Sequence, residues 1–164
     1  MRVLVIRHAH AVPQGAGVAD AERRLSPEGE RRFQAAARGL ARLVPAPDVL
    51  LTSPLVRARQ TAAIAAAAWG GLEPRPEPAL ASGTIDAILA ALEHQPRDAT
   101  VALVGHEPTV SALVAELVGA GSTDAVAFEP GAAALLEVAS LATRGARLVW
   151  FLPTAALAAG VEPR

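Results

Sequence analysis

The chain has 164 residues, a length that fits one domain built around one hydrophobic core. A hydrophobic share of 52% against 19% charged residues excludes a disordered chain, and a net charge of −1 excludes a global field that would draw nucleic acid or an anionic membrane. The absence of cysteine excludes disulfides, thiolate metal sites and a cysteine nucleophile, and it fits a reducing compartment.

The run Val3 to Ile6 is apolar, β-branched and unalternating, the pattern of a strand covered on both faces. It is too short for the apolar core of a secretory signal. Ser26-Pro27 places an N-cap hydroxyl before a proline suited to the first helical position. The helix it opens carries Phe33, Ala36, Ala37, Leu40 and Leu43 at helical spacing and is expected to end near Pro45. Val49 to Leu51 reads as a second strand, and Ser53-Pro54 as the start of a helix running to about Trp69 before Gly70-Gly71.

Pro74 to Pro78 reads as a loop or short edge strand. Apolar stripes at Ile85, Ile88, Leu89 and Leu92, and at Val110, Leu113, Val114 and Leu117, predict two more helices on either side of a strand at Val101 to Val104. Ala133 to Val138 and Arg147 to Leu152 predict a closing hairpin. The apolar stretch Leu148 to Val161 is broken by Pro153 and is too short to cross a bilayer of about 30 Å as a helix. The expected protein is cytoplasmic, with no membrane and no nucleic acid among its partners. Its expected fold is a single-domain α/β protein over residues 1–164, a three-layer α/β/α sandwich on a mostly parallel sheet.

Ligands of open α/β sheets bind beyond the carboxyl ends of the strands. There the sequence places Arg7-His8-Ala9-His10, then Ser53 to Arg57, then Gly105-His106-Glu107-Pro108. Each histidine alone reads as a surface or structural residue; several of them beside Arg7 and Arg57 at one edge read as an oxyanion pocket. A neutral imidazole whose other nitrogen is held by a backbone carbonyl can accept a phosphoryl group covalently, and guanidinium groups match the phosphoryl oxygens. Phosphoryl transfer through a loose transition state needs mainly positioning and fixed donors.

Arg7-His8-Ala9, Ser53-Pro54-Leu55-Val56-Arg57-Ala58-Arg59-Gln60-Thr61 and Val104-Gly105-His106, in that order, resemble the histidine phosphatase, or phosphoglycerate mutase-like, superfamily. The short chain and Arg24-Leu25-Ser26-Pro27-Glu28-Gly29 resemble its SixA-type phosphohistidine phosphatase branch. The resemblance implies a metal-independent phosphatase without a cofactor, with His8 phosphorylated and Arg7, Arg57 and His106 binding the phosphoryl oxygens. It adds Arg24 as a further phosphate-binding residue, with Arg23 as the alternative.

Larger members of the superfamily carry an acid that protonates the leaving group, and no carboxylate here matches it clearly; Glu77, Asp86 and Glu107 are weak candidates. Imidazole, with a reference pKa of about 6.5, leaves without strong proton assistance, so the gap points to a phosphohistidine borne on a signalling protein domain. Three alternatives remain: a phosphomonoesterase for a small molecule, a non-catalytic phosphate-binding module, and a metallohydrolase using His8 and His10.

Overall fold

The computed structural model describes residues 1–15 and 17–160. Its elements in chain order are β1 (Arg2–Arg7), α1 (Pro27–Leu43), β2 (Val49–Thr52), α2 (Val56–Ala68), β3 (Arg75–Pro76) and α3 (Ala79–Ser82). They continue with α4 (Ile85–Glu93), β4 (Thr100–Gly105), α5 (Thr109–Val118), β5 (Ala133–Ser140), β6 (Gly145–Leu152) and α6 (Thr154–Ala159). Two 3-10 turns, Asp20–Glu22 and Thr123–Val126, lie between them.

The six strands form one sheet in the order β3-β2-β4-β1-β5-β6. Pairings among β1, β2, β3 and β4 are parallel, whereas β5 runs antiparallel to both β1 and β6. Alternate residues of β1 feed opposite cores, as the two-residue period of a strand requires. Val3 and Val5 join Ile88, Leu92, Leu113 and Leu117 of α4 and α5 on one face. Leu4 and Ile6 join Phe33 and Leu40 of α1, Ala62 of α2 and Leu157 of α6 on the other. The molecule is thus the expected α/β/α sandwich, and no described helix is long and apolar enough to cross a membrane.

Ser26 caps α1 as anticipated, its side chain accepting from the Gly29 backbone N–H at 3.0 Å. At Ser53-Pro54 the expectation fails. The helix starts at Val56 after a capping Leu55, because the Ser53 hydroxyl is occupied by His106. The Pro74 to Pro78 segment contains the two-residue edge strand β3, and it leads into the short α3, which the apolar pattern was too brief to announce. The stretch from Leu148 holds the end of β6 and then α6, with Pro153 between them; Val161 lies outside the described residues. A Cβ at Gly39 would lie 1.8 Å from the Leu157 carbonyl oxygen, so only glycine on α1 lets α6 cross this closely.

Candidate active site

Parallel pairing sets the site. Arg7 of β1 lies opposite Gly105 of β4, and Thr52 of β2 opposite Val104, so the residues that follow each strand emerge side by side. Two backbone bonds extend the ladder past the strand ends: His8 N–H to the Gly105 carbonyl at 2.9 Å and Ser53 N–H to the Val104 carbonyl at 2.9 Å. The segment after His8 is pressed onto α1. A Cβ at Gly29 would sit 2.1 Å from the His10 carbonyl oxygen, which accepts the Ser26 N–H. From α2, Thr61 Oγ1 accepts the Ala9 N–H at 3.0 Å and donates to the Arg57 carbonyl at 2.7 Å, tying the His8 turn to the first turn of that helix.

These constraints bring the His8 and His106 rings to 4.9 Å between centroids, both side chains being buried. His8 Nδ1 lies 2.7 Å from the Ala9 carbonyl oxygen, and a carbonyl only accepts, so Nδ1 carries the proton and Nε2 the free lone pair. Burial first, then the charges of Arg57, Arg7 and Arg23, lowers the His8 pKa to about 4, although the Ala9 bond works the other way. The ring is neutral near pH 7, with the Nε2 lone pair available.

His106 is held differently. Its Nε2 lies 2.7 Å from Ser53 Oγ, which also accepts the Leu55 N–H at 3.3 Å. Where the Ser53 hydroxyl donates to Nε2, the ring proton sits on Nδ1. Burial, followed by His8 and Arg57, pushes the His106 pKa down to about 3, with Asp20 opposing.

Arg7 donates from Nη1 to the Phe128 carbonyl at 2.6 Å. The Phe128 N–H in turn donates to Glu107 Oε1 at 2.8 Å, so that oxygen of Glu107 anchors the segment whose carbonyl holds Arg7. Burial lowers the Arg7 pKa while Glu107 raises it. Arg57 donates from Nη1 to the Asp20 carbonyl at 2.7 Å and from Nη2 to Asp20 Oδ2 at 3.0 Å.

Among the described residues, the buried side-chain nitrogens without a hydrogen-bond partner are Arg7 Nε, Arg57 Nε and His106 Nδ1. The two arginine nitrogens are donors and His106 Nδ1 is one when Ser53 donates to Nε2; all three belong to residues whose charge or ring acts on His8 or lies against it. The arrangement sets buried cationic and imidazole groups beside a ring nitrogen with a free lone pair, chemistry that could hold an anion there.

The remaining candidates are dispersed. Arg24 is exposed and lines a neighbouring cleft with Thr52, Pro54, Arg59 and Glu73, whereas Arg23 is the one whose charge reaches His8. His10 is exposed while His8 is buried, which separates the pair that a metallohydrolase would need. Glu77 Oε1 accepts the Ala79 N–H at 3.0 Å, and Asp86 is paired with Arg144 at 2.8 Å. Sequence reasoning missed Ser53 as the partner of His106 and Asp20 as the partner of Arg57. The first was hidden by its resemblance to a helix cap; the second could have been sought as the acid three residues before Arg23.

Residues 3–83 match the model of the histidine phosphatase superfamily (branch 1). An uncharacterised protein of Picosynechococcus is 39% identical over 126 residues, which cover 75% of this chain and 76% of that one. The structure assigned as phosphohistidine phosphatase SixA of Nakamurella multipartitia is 36% identical, with a TM-score of 0.76 over 92% of this chain and 94% of that chain. The protein histidine phosphatase SixA solved with tungstate shares the fold at a TM-score of 0.84 and 24% identity, covering 96% of this chain and 99% of the other.

Proposed function

Because the chain belongs to the histidine phosphatase superfamily, in its SixA-type branch, and is therefore a metal-independent phosphatase, we propose that it removes the phosphoryl group from phosphohistidine on a protein. His8 is the acceptor in this reading. The observation that carries it is the buried His8 ring, whose Nδ1 is fixed by a backbone carbonyl so that Nε2 is free, with the His106 ring 4.9 Å away and the charges of Arg57 and Arg7 acting on it.

In the first step His8 Nε2 attacks phosphorus, the Nε2–P bond forms and the bond to the leaving nitrogen breaks. The substrate ring, carrying a proton on its other nitrogen, departs as neutral imidazole, and the released nitrogen keeps the electron pair of the broken bond. In the second step water attacks phosphorus, the Nε2–P bond breaks, and orthophosphate leaves with His8 restored. The Arg7 and Arg57 guanidinium groups and His106 act on charge that stays on the phosphoryl oxygens through both steps. Glu77 Oε1 and Glu107 Oε1 each accept a backbone N–H and Asp86 is paired with Arg144, which disfavours each as the acid for an alkoxide. A leaving imidazole tolerates that, which favours phosphohistidine over a small phosphate ester.

The test is turnover of a phosphohistidine-carrying protein and of an aryl phosphate by wild type and His8→Ala. The expected result is loss of more than about 10³-fold in kcat for His8→Ala, with the phosphohistidine protein preferred by the wild type. Full activity in His8→Ala would sink the covalent route, and a strong preference for simple esters would redirect the substrate class.

A further inference from the structure

We infer that Asp20 is a positioning residue that joins Arg23 to Arg57, making the two arginines one anion-binding unit at the phosphoryl pocket. The inference builds on the His8 chemistry proposed above. Its basis is the division of one carboxylate between two cations: Asp20 Oδ1 accepts from Arg23 Nη1 at 2.9 Å and Oδ2 from Arg57 Nη2 at 3.0 Å. The Asp20 carbonyl takes a third bond, from Arg57 Nη1 at 2.7 Å.

The geometry gives Asp20 two tasks. By engaging both terminal nitrogens of Arg57, it fixes the plane of the guanidinium and hence the direction of its buried, unpaired Nε. It also brings in Arg23, which follows the 3-10 turn and is anchored from its other side by Nε donating to the Val12 carbonyl at 2.9 Å. Arg23 thereby comes near enough for its charge to act on His8. Two guanidinium groups held this close repel each other, and the shared carboxylate offsets that repulsion.

The loop is braced for this purpose. Residues Ala11 and Leu25 form an isolated antiparallel bridge, Val12 N–H donates to the Arg24 carbonyl at 2.9 Å, and Gln60 Oε1 of α2 accepts the Leu25 N–H at 2.8 Å. The two arginines hold the Asp20 carboxyl below the usual carboxylate range, so it stays ionised at neutral pH and does not supply the missing proton to a leaving group.

A double-mutant cycle on the full chain tests the coupling, using Asp20→Ala, Arg23→Ala and the pair, with the dissociation constant of inorganic phosphate from calorimetry, kcat, KM and Tm as readouts. Each single variant is expected to weaken phosphate binding about tenfold or more, and the pair no more than about twofold beyond the worse single, with Tm unchanged. Asp20→Asn, which keeps one acceptor oxygen, is expected to recover part of the loss. Multiplicative losses would overturn the coupling, and so would unchanged binding. Tighter phosphate binding in Asp20→Ala would overturn it too, by making the carboxylate a competitor of the phosphoryl group. Because phosphate binding needs no turnover, this outcome is read separately from the fate of His8→Ala.

Discussion

The two arginines of the site are held in contrasting ways. Arg7 leans on the carbonyl of Phe128, a side chain 3% exposed that packs edge-on against Phe151 and belongs to the same core as Leu113 and Leu117. Arg57 leans on Asp20, whose side chain is 47% exposed in a 3-10 turn. One half of the site is therefore part of the folded core, and the other is set by a solvent-exposed 3-10 turn. The difference teaches that two similar donors at one pocket can have separate links to stability: disturbing the first should damage fold and catalysis together, the second catalysis alone.

Replacing each arginine by lysine is the severest way to break that contrast. A compact ammonium cannot occupy both the anchoring and the phosphoryl-facing directions, so Arg7→Lys and Arg57→Lys should each lose about 10²–10³-fold in kcat/KM. Their thermal behaviour should part. Arg7→Lys strands the buried Phe128 carbonyl and should lower Tm by a few degrees, at about 2–4 °C per kcal/mol for a chain of this size. Arg57→Lys leaves the carboxylate and the carbonyl of Asp20, in an exposed turn where water can solvate both, and its Tm should hold. Equal shifts in Tm would erase the distinction between the halves.

Glu107 sharpens the same comparison from the core side. Its Oε1 accepts the Phe128 N–H, which fixes the segment whose carbonyl holds Arg7, and it lies against the Ser111 hydroxyl. Glu107→Ala should orphan that N–H at a cost of about 1–3 kcal/mol and reduce activity along with Tm. Glu107→Gln keeps an acceptor oxygen and should restore most of the Tm, while the lost charge leaves Arg7 less well offset. Recovery of Tm without full recovery of kcat/KM is the expected signature; unchanged Tm in Glu107→Ala would place the support of Arg7 elsewhere.

The contrast also explains what the sequence disclosed. The core-facing half was legible because β1 and β4 announce themselves as unbroken apolar runs, and a parallel sheet delivers the residues after each strand to one edge. Arg7, His8 and His106 follow from that, and Arg57 from its place just after β2. Asp20 was not legible, since a three-residue 3-10 turn has no hydrophobic period and its role exists only through a contact 37 positions away. Arg23 and Arg24 could not be told apart by order alone; the bonds of Arg23 to Val12 and Asp20 are what direct it inward. Ser53 misled for a physical reason, because a serine before a proline satisfies the pattern of a helix cap as well as it satisfies a histidine ring.

The two histidines carry the comparison into pH dependence, where effects at neutral pH are smallest. Burial comes first among the causes for both, lowering His8 to about 4 and His106 to about 3, against an ordinary value near 6.5. As the pH falls from about 6.5 towards 4, the unfolded chain takes up protons that the folded chain refuses, so stability should decline over that window and be independent of these groups above it. Urea unfolding at pH 5, 6 and 7 should show this slope, and His8→Gln should flatten part of it. Ring-proton resonances of His8 and His106 in the protein without phosphate should stay in the neutral form down to about pH 5. Adding inorganic phosphate should move both midpoints upward, because an anion in the site favours the imidazolium form. A midpoint near 6.5 for His8 in the free protein would mean that its ring is neither desolvated nor faced by the arginines, and the site itself would have to be redrawn.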